Sequence, residues 1–230
     1  MRYRRILMLA AILLLVVAAL AQPSVAAQRV APPFACENLT SLNLPDTTVT
    51  EAVRVTAGSY DPPGPTLLIS GLPAFCRVHL VVAPQINIEV WMPIETWNGR
   101  FQGVGGGGFA GSISYSALGS AVRSRYATAS TDTGHTGSAV DGSWALDANG
   151  NLNEQLVIDF AYRAIHEMTV KSKAVIEAFY GAVPTYSYFT GCSTGGRQGL
   201  MEAQRFPDDY DGIVSGAPAI NWSTFIGAEL

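Results

Sequence analysis

A short segment at residues 191–195, with the sequence Gly-Cys-Ser-Thr-Gly, constrains the fold of this chain more than any other feature. It matches the G-x-S-x-G pattern of a nucleophile elbow, which is weak evidence by itself in a glycine-rich chain. The context is stronger, because an apolar strand is predicted before it at 186–190 and an amphipathic helix after it at 197–206. A strand that turns so sharply into a helix needs small residues around the serine. The segment therefore predicts an α/β sheet with Ser193 at its edge.

Ser193 in such a turn is predicted to be a nucleophile. The turn lifts the hydroxyl to the end of the sheet, and the first amides of the following helix point at an oxyanion that develops on a substrate carbonyl. The competing interpretation is a glycine- and serine-containing turn that merely caps the helix. The strand before the turn and the helix after it favour the nucleophile.

Four consecutive glycines at 105–108 follow a short strand predicted at 100–104. A hydrolase elbow needs a second backbone N–H donor from a loop after an early strand, and glycine lets that loop approach the substrate. Residues 103–108 also fit the dinucleotide fingerprint G-x-G-x-x-G, with Asp132 near the spacing of a ribose-binding acid. Three observations favour the oxyanion loop. The N-terminal segment 1–27 predicts export, the helical pattern over 112–124 between the glycines and Asp132 is weak, and a nucleophile elbow follows later in the chain. A plain flexible loop is the third interpretation.

The rest of the pattern indicates α/β architecture. Residues 86–92 alternate between apolar and polar side chains, as in a strand, and the apolar residues of 157–179 recur at helical spacing. Strands and helices alternate through the second half of the chain, which predicts a parallel sheet with helices on both faces. The net charge is −4 and the basic residues are scattered, so no patch for nucleic acid is predicted.

The N-terminal segment 1–27 has the three parts of a secretory signal peptide. A basic stretch at 1–5 precedes an uncharged apolar run at 6–20, and small residues follow. A membrane anchor is the alternative, but the run is shorter than the roughly 20 apolar residues of a bilayer span. We predict a secreted or periplasmic protein that has no stable membrane insertion after signal cleavage.

Three cysteines in an oxidising compartment invite pairing. Cys36 and Cys76 flank the first predicted strand and are the candidates for a disulfide. Cys192 is then left over, directly before the predicted nucleophile. It is either a buried free thiol, since cysteine behaves as a small hydrophobe, or the partner of a cysteine beyond residue 230.

The general base is not evident in this sequence. In an α/β-hydrolase the triad runs along the chain in the order serine, acid, histidine. All three histidines, which are His79, His135 and His166, precede Ser193. Asp208, Asp209 and Asp211 follow Ser193 too closely along the chain to be the catalytic acid. The triad is therefore predicted to be incomplete within these 230 residues.

The chain resembles the tannase and feruloyl esterase family. The resemblance rests on five segments, which are residues 105–108, 131–135, 191–199, 206–213 and 216–219. It implies an α/β-hydrolase that cleaves small esters of aromatic acids through an acyl-enzyme on Ser193, without an organic cofactor. The alternative from a different class is a non-catalytic exported binding protein that keeps the hydrolase scaffold.

The resemblance also implies roles for particular residues. The oxyanion hole would consist of the Thr194 amide and an amide of the glycine run, either Gly106 or Gly107, and Cys192 would be disulfide-bonded to a cysteine beside the catalytic histidine. Residues 28–230 would form the N-terminal portion of the catalytic domain, with no metal site. The catalytic acid and histidine, and a lid that often holds a calcium ion, would follow Leu230. We therefore expect no ester turnover from the 230-residue chain alone.

Overall fold

A computed structural model describes residues 34–64, 68–109, 111–221 and 224. The signal peptide predicted for 1–27 lies outside the described residues. Among the residues that are described, no helix is both long and apolar enough to cross a bilayer. The strands are β1 (Thr47–Val55), β2 (Gly58–Tyr60), β3 (Ile69–Leu72), β4 (Phe75–Val82), β5 (Ile86–Pro93), β6 (Arg100–Val104), β7 (Ala127–Thr131), β8 (Tyr186–Cys192) and β9 (Gly212–Gly216).

The helical elements lie mostly in the second half of the chain. They are a 3₁₀ helix at Cys36–Ser41, α1 (Tyr115–Arg123), a 3₁₀ turn at Ser143–Ala145, α2 (Glu154–Ile158), a π-turn at Asp159–Arg163, α3 (Ala164–Tyr180) and α4 (Thr194–Arg205). The 3₁₀ helix at Cys36–Ser41 precedes β1 and is joined to β4 by a disulfide.

Seven strands form one mixed sheet in the order β1-β4-β5-β7-β6-β8-β9. The pairs β1–β4, β4–β5 and β5–β7 are antiparallel, whereas β7, β6, β8 and β9 run parallel to one another. The predicted parallel sheet is therefore confirmed for the second half of the chain, and an antiparallel extension precedes it. Because β6 and β8 are parallel neighbours, the loops after them meet at the same edge of the sheet.

Helices cover both faces of the sheet, as predicted. On one face α3 buries Val175, Ile176 and Phe179 in the larger apolar core. On the other face α1 and the β2–β3 hairpin enclose a smaller core that contains Trp91 and Leu118. Burial on both faces gives the central strands a rigid position, which fixes the loops at their ends.

Cys36 and Cys76 form the predicted disulfide. It joins the 3₁₀ helix to β4 across a sequence separation of 40 residues, with the two Cα atoms 5.6 Å apart. A cross-link that closes a loop of this length stabilises the folded state by about 3–4 kcal/mol. The bond therefore holds the N-terminal entry segment against the sheet.

The helix indicated by the apolar spacing of 157–179 is interrupted by the π-turn. The Asn153 side chain caps α2 by accepting a hydrogen bond from the Leu156 N–H at 3.3 Å, and Gly181 ends α3 with φ 69°. Between these ends the π-turn widens the helix by one residue and frees backbone carbonyls. Arg197 of α4 donates to the carbonyls of Phe160 and Ala161 at 3.2 Å and 3.0 Å. A contact from a distant part of the chain therefore stabilises the irregularity.

Candidate active site

Ser193 lies between the end of β8 and the start of α4, as the sequence predicts. Its backbone has φ 58° and ψ −120°, a conformation that L-residues rarely adopt. A residue held in such a conformation costs about 1–3 kcal/mol, and the surrounding structure must compensate. The Ser193 side chain is exposed at the sheet edge.

Three backbone hydrogen bonds hold this turn. The Ser193 N–H donates to the carbonyl of Gly216, the last residue of β9, at 3.0 Å. The Ser193 carbonyl accepts from the N–H groups of Arg197 and Ala219, both at 3.0 Å. Strand β9 and the segment after it therefore fasten the serine backbone, while its hydroxyl stays open to solvent.

The glycines around Ser193 are required by close backbone contacts. A Cβ atom on Gly191 would lie 2.3 Å from the Gly195 carbonyl oxygen, and one on Gly196 would lie 2.3 Å from the Gly216 carbonyl oxygen. Both neighbours are backbone atoms, which cannot move aside as a flexible side chain can. The strand and the helix therefore cross at a distance that only glycine permits.

The glycine loop at 105–108 lies against the first turn of α4. The Gly105 N–H donates to the Thr190 carbonyl of β8 at 3.0 Å. A Cβ on Gly105 would lie 2.6 Å from the Gly195 Cα atom, so the two backbones are in direct contact. The two glycine-rich segments singled out in the sequence are thus brought together at one place.

Two α4 side chains bind this loop. The Gln198 Oε1 atom accepts a hydrogen bond from the Gly106 N–H at 3.0 Å, and the Thr194 hydroxyl donates to the Gly108 carbonyl at 2.8 Å. Both side chains are buried, with exposed fractions of 2% for Gln198 and 1% for Thr194. Sequence reasoning assigned no role to Gln198, although its position four residues after Thr194 puts both on one helix face.

The N–H groups predicted as oxyanion donors therefore differ in whether they already make a hydrogen bond. The Gly106 N–H is occupied by Gln198. The Gly107 N–H makes no hydrogen bond within the part of the chain that the structure describes. Thr194 is the first residue of α4, where the helix itself leaves the N–H without an acceptor. Of the two predicted glycines, the geometry favours Gly107.

The three histidines all bind groups other than Ser193. His135 hydrogen-bonds the Phe109 carbonyl at 2.8 Å and stacks on Trp144. His166 contacts the Asp209 carboxylate at 2.7 Å, and His79 contacts the Thr50 hydroxyl at 2.6 Å. Their positions agree with the expectation from chain order that the base is none of the three.

The glycine run and Asp132, which together suggested a dinucleotide site, make contacts that do not fit such a site. The glycine run packs on α4 and does not open a helix of its own, since α1 begins only at Tyr115. The Asp132 carboxylate is buried and accepts hydrogen bonds from Asn87 and from the Gly134 N–H. Burial raises the pKa of Asp132, against the opposing effect of these hydrogen bonds. An acid held in this way is not free to bind a ribose.

Cys192 is exposed and has no disulfide partner among the described residues. This differs from the first of the two predicted possibilities, a buried thiol, and leaves the partner beyond residue 230 as a prediction. No group of three His, Cys, Asp or Glu residues in the described ranges is arranged to hold a metal ion. The calcium ion that the family resemblance implies was expected in a lid after Leu230, and it stays a prediction.

Comparison with known proteins supports the family resemblance that the sequence motifs indicate. A family model described as "Tannase and feruloyl esterase" matches residues 73–227. A probable feruloyl esterase of Arthroderma benhamiae is 48% identical over 152 residues, which are 64% of this chain and 28% of that protein. An uncharacterized esterase of Xanthomonas campestris pv. campestris is 43% identical over 192 residues, which are 82% of this chain and 32% of that protein.

Solved structures show the same fold. The crystal structure of feruloyl esterase B from Aspergillus oryzae has a TM-score of 0.73 at 37% identity, and the match covers 81% of this chain and 37% of that one. Tannin acyl hydrolase from Aspergillus niger has a TM-score of 0.63 at 30% identity, covering 80% of this chain and 35% of that one. The predicted α/β-hydrolase fold is thereby confirmed. The chain spans about a third of the length of these relatives.

Proposed function

This chain belongs to the tannase and feruloyl esterase family, and we propose that it carries the nucleophile and the oxyanion hole of a serine esterase. The observation that carries the proposal is the backbone of Ser193, at φ 58° and ψ −120° between a strand and a helix. Such a strained conformation at an exposed serine is typical of nucleophile elbows. The adjacent glycine loop supplies the second part of the machinery.

The proposed reaction is acyl transfer through a covalent intermediate. The Ser193 oxygen attacks the ester carbonyl while its proton passes to a histidine base, and the carbonyl oxygen becomes an oxyanion. The N–H groups of Thr194 and Gly107 donate to that oxyanion. The intermediate collapses to an acyl-enzyme as the alcohol leaves with the proton. Water, activated by the same base, then attacks the acyl group and releases the acid and Ser193.

The base and its acidic partner are proposed to come from sequence outside these 230 residues. The support is that the hydrogen bonds of His79, His135 and His166 all go to groups other than Ser193, and that all three residues precede Ser193 along the chain. We further propose that Cys192, exposed beside the nucleophile, pairs with a cysteine near that histidine. The relatives named feruloyl esterase and tannin acyl hydrolase support esters of aromatic acids as the substrate class.

Export is also proposed, with cleavage after the segment 1–27. The basic and apolar pattern of this segment and the Cys36–Cys76 disulfide support an oxidising compartment. N-terminal sequencing of protein recovered from the periplasm or culture medium tests this. A start near residue 28 is expected, and an intact Met1 on exported protein would contradict the cleavage.

The function is tested on the complete natural gene product with methyl ferulate and methyl gallate as substrates. We expect Ser193→Ala to lower kcat by on the order of 10⁵–10⁶-fold, as loss of a serine nucleophile does elsewhere. Ser59→Ala, which removes an exposed hydroxyl in the β2–β3 hairpin, is the matched control and should keep full activity. Hydrolysis that survives Ser193→Ala, or a wild-type protein with no hydrolysis, would overturn the proposal and favour a binding role.

A further inference from the structure

The sequence of the glycine loop does not hold the loop in one conformation. Four consecutive glycines have the greatest backbone freedom of any tetrapeptide, and none has a side chain that could pack in place. An oxyanion donor contributes most when it is fixed before the reaction begins. A donor carried by this loop therefore needs anchors from elsewhere in the fold.

We propose that Gln198 is a positioning residue that fixes the glycine loop, and with it the Gly107 N–H, for the oxyanion. This rests on the proposed esterase function. The Gln198 Oε1 atom accepts the Gly106 N–H at 3.0 Å, so it holds the peptide group directly before the one that donates. Only one pair of backbone dihedrals, at Gly106, separates the held N–H from the Gly107 N–H.

A second anchor holds the other side of the donor. The Thr194 hydroxyl donates to the Gly108 carbonyl at 2.8 Å. Gly107 thus lies between two held residues, and both anchors come from α4. The N–H of Thr194, the other proposed donor, belongs to the same helix. The distance between the two donors is therefore set within one rigid element rather than by the flexible connection between β6 and α1.

The environment of Gln198 makes its hydrogen bond persistent. The side chain is 2% exposed, so water does not compete freely for its Oε1 atom. The same atom would lie 3.1 Å from a Cβ placed on Gly105, which shows how closely the amide is packed on the loop. A contact from a buried side chain to a backbone N–H restrains the loop more than an exposed contact could.

The test compares three variants of the complete natural gene product. Gln198→Met keeps the volume and removes the acceptor, whereas Gln198→Glu keeps an oxygen that can accept the Gly106 N–H. Gln85→Met is the control, since Gln85 also hydrogen-bonds a backbone group, the Gly134 carbonyl at 2.7 Å, but none of its hydrogen bonds among the described residues goes to the 105–108 loop. Melting temperature and the fraction of active sites are measured for each variant.

We expect Gln198→Met to lower kcat about 10–100-fold per active site while KM changes less than about threefold, because oxyanion contacts form only in the transition state. The affinity for a trifluoromethyl ketone, which adds to Ser193 as an oxyanion mimic, should fall by a similar factor. Gln198→Glu should recover most of the kcat, and Gln85→Met should match the wild-type protein.

The outcomes separate this inference from the function beneath it. If Ser193→Ala abolishes hydrolysis but Gln198→Met has a normal kcat, the positioning role is wrong and the esterase stands. A lower melting temperature with normal kcat and normal ketone affinity would make Gln198 a packing residue only. A wild-type protein without hydrolysis would overturn the esterase and the positioning role together.

Discussion

The carboxyl group of Glu202 on α4 is completely buried close to the Asp209 carboxylate, and neither of its oxygens has a hydrogen-bond partner among the described residues. Burial first, and then the negative charge of Asp209, raise the pKa of Glu202 to about 9, while Lys173 opposes the shift. Glu202 is therefore protonated at neutral pH. Asp209 in turn contacts His166 at 2.7 Å, so the pair links α4 to α3.

This pair predicts a stability that falls with rising pH. The folded state keeps a proton on Glu202 that the unfolded chain releases above a pKa of 4.5, so folding becomes less favourable between about pH 4.5 and 9. Glu202→Gln carries a donor without a titratable proton. We expect it to raise the free energy of unfolding relative to wild type by on the order of 3 kcal/mol more at pH 8 than at pH 5.

Urea unfolding at the two pH values measures this difference. Glu177→Gln on α3 is the control, because Glu177 is exposed and its substitution should leave the pH dependence as in the wild-type protein. Equal pH dependence in the wild type and Glu202→Gln would show that Glu202 is not the group that holds the proton.

Two glycines of the same loop should respond in opposite ways to alanine. At Gly105 the new Cβ would lie 2.6 Å from the Gly195 Cα atom, so one backbone must shift, whereas at Gly107 it would meet nothing within 4 Å. We expect Gly105→Ala to lower the free energy of unfolding by about 2–3 kcal/mol, as overpacking does. Gly107→Ala should leave it unchanged or raise it by up to about 1 kcal/mol, since alanine restricts the unfolded chain.

Denaturant unfolding of both variants gives the comparison directly. Each variant is the control for the other, because the substitution, the loop and the loss of glycine are the same. A similar loss of stability in both would mean that the loop does not approach α4 as closely as the Gly105–Gly195 contact indicates.

The buried ion pair of Arg77 and Glu89 predicts a large effect from a single substitution. The Arg77 Nε atom donates to Glu89 at 2.9 Å, a second guanidinium nitrogen binds the other oxygen, and the Trp91 indole donates at 3.1 Å. Glu89→Ala would leave the Arg77 charge, 7% exposed, without its buried partner. We expect a loss of about 3–5 kcal/mol in the free energy of unfolding.

The chain offers a matched control for this prediction. Arg77 also contacts Glu51 at 2.6 Å, but the Glu51 side chain is 46% exposed. Glu51→Ala should cost no more than about 1 kcal/mol, because solvent screens an exposed pair. Thermal and urea unfolding of the two variants decide the matter, and equal losses would contradict the assignment of the buried contact as the stronger one.

The same region shows how far period-two alternation predicts a strand. The alternation over 86–92 placed β5 correctly, and its apolar residues Ile88 and Val90 lie in the core. Glu89 occupies a polar position of the same alternation, yet it has no exposed surface. The β2–β3 hairpin, which was not predicted, contributes to the layer over that face. A short hairpin with little apolar pattern gives no local sign that it will cover charged residues.

The candidate site was predicted to a similar extent. The elbow and the glycine loop were recognised because sharp turns and close backbone approach restrict the residue type locally. The π-turn and the role of Gln198 were missed, because both depend on contacts between distant segments. The π-turn is stabilised by hydrogen bonds from Arg197, and the role proposed for Gln198 rests on its hydrogen bond from the Gly106 N–H. Neither contact leaves a periodic pattern in the sequence.

The close packing of β8, α4 and β9 requires glycines for reasons that are independent of catalysis. Gly191 and Gly196 are demanded by neighbouring backbone atoms, whether or not an ester is ever cleaved. The Ser193 hydroxyl, by contrast, makes no capping hydrogen bond to α4, so the helix start does not depend on it. A relative without hydrolytic activity is therefore expected to keep both glycines but to vary at position 193. In such relatives the two glycines record common ancestry, and only the residue at position 193 reports on catalysis.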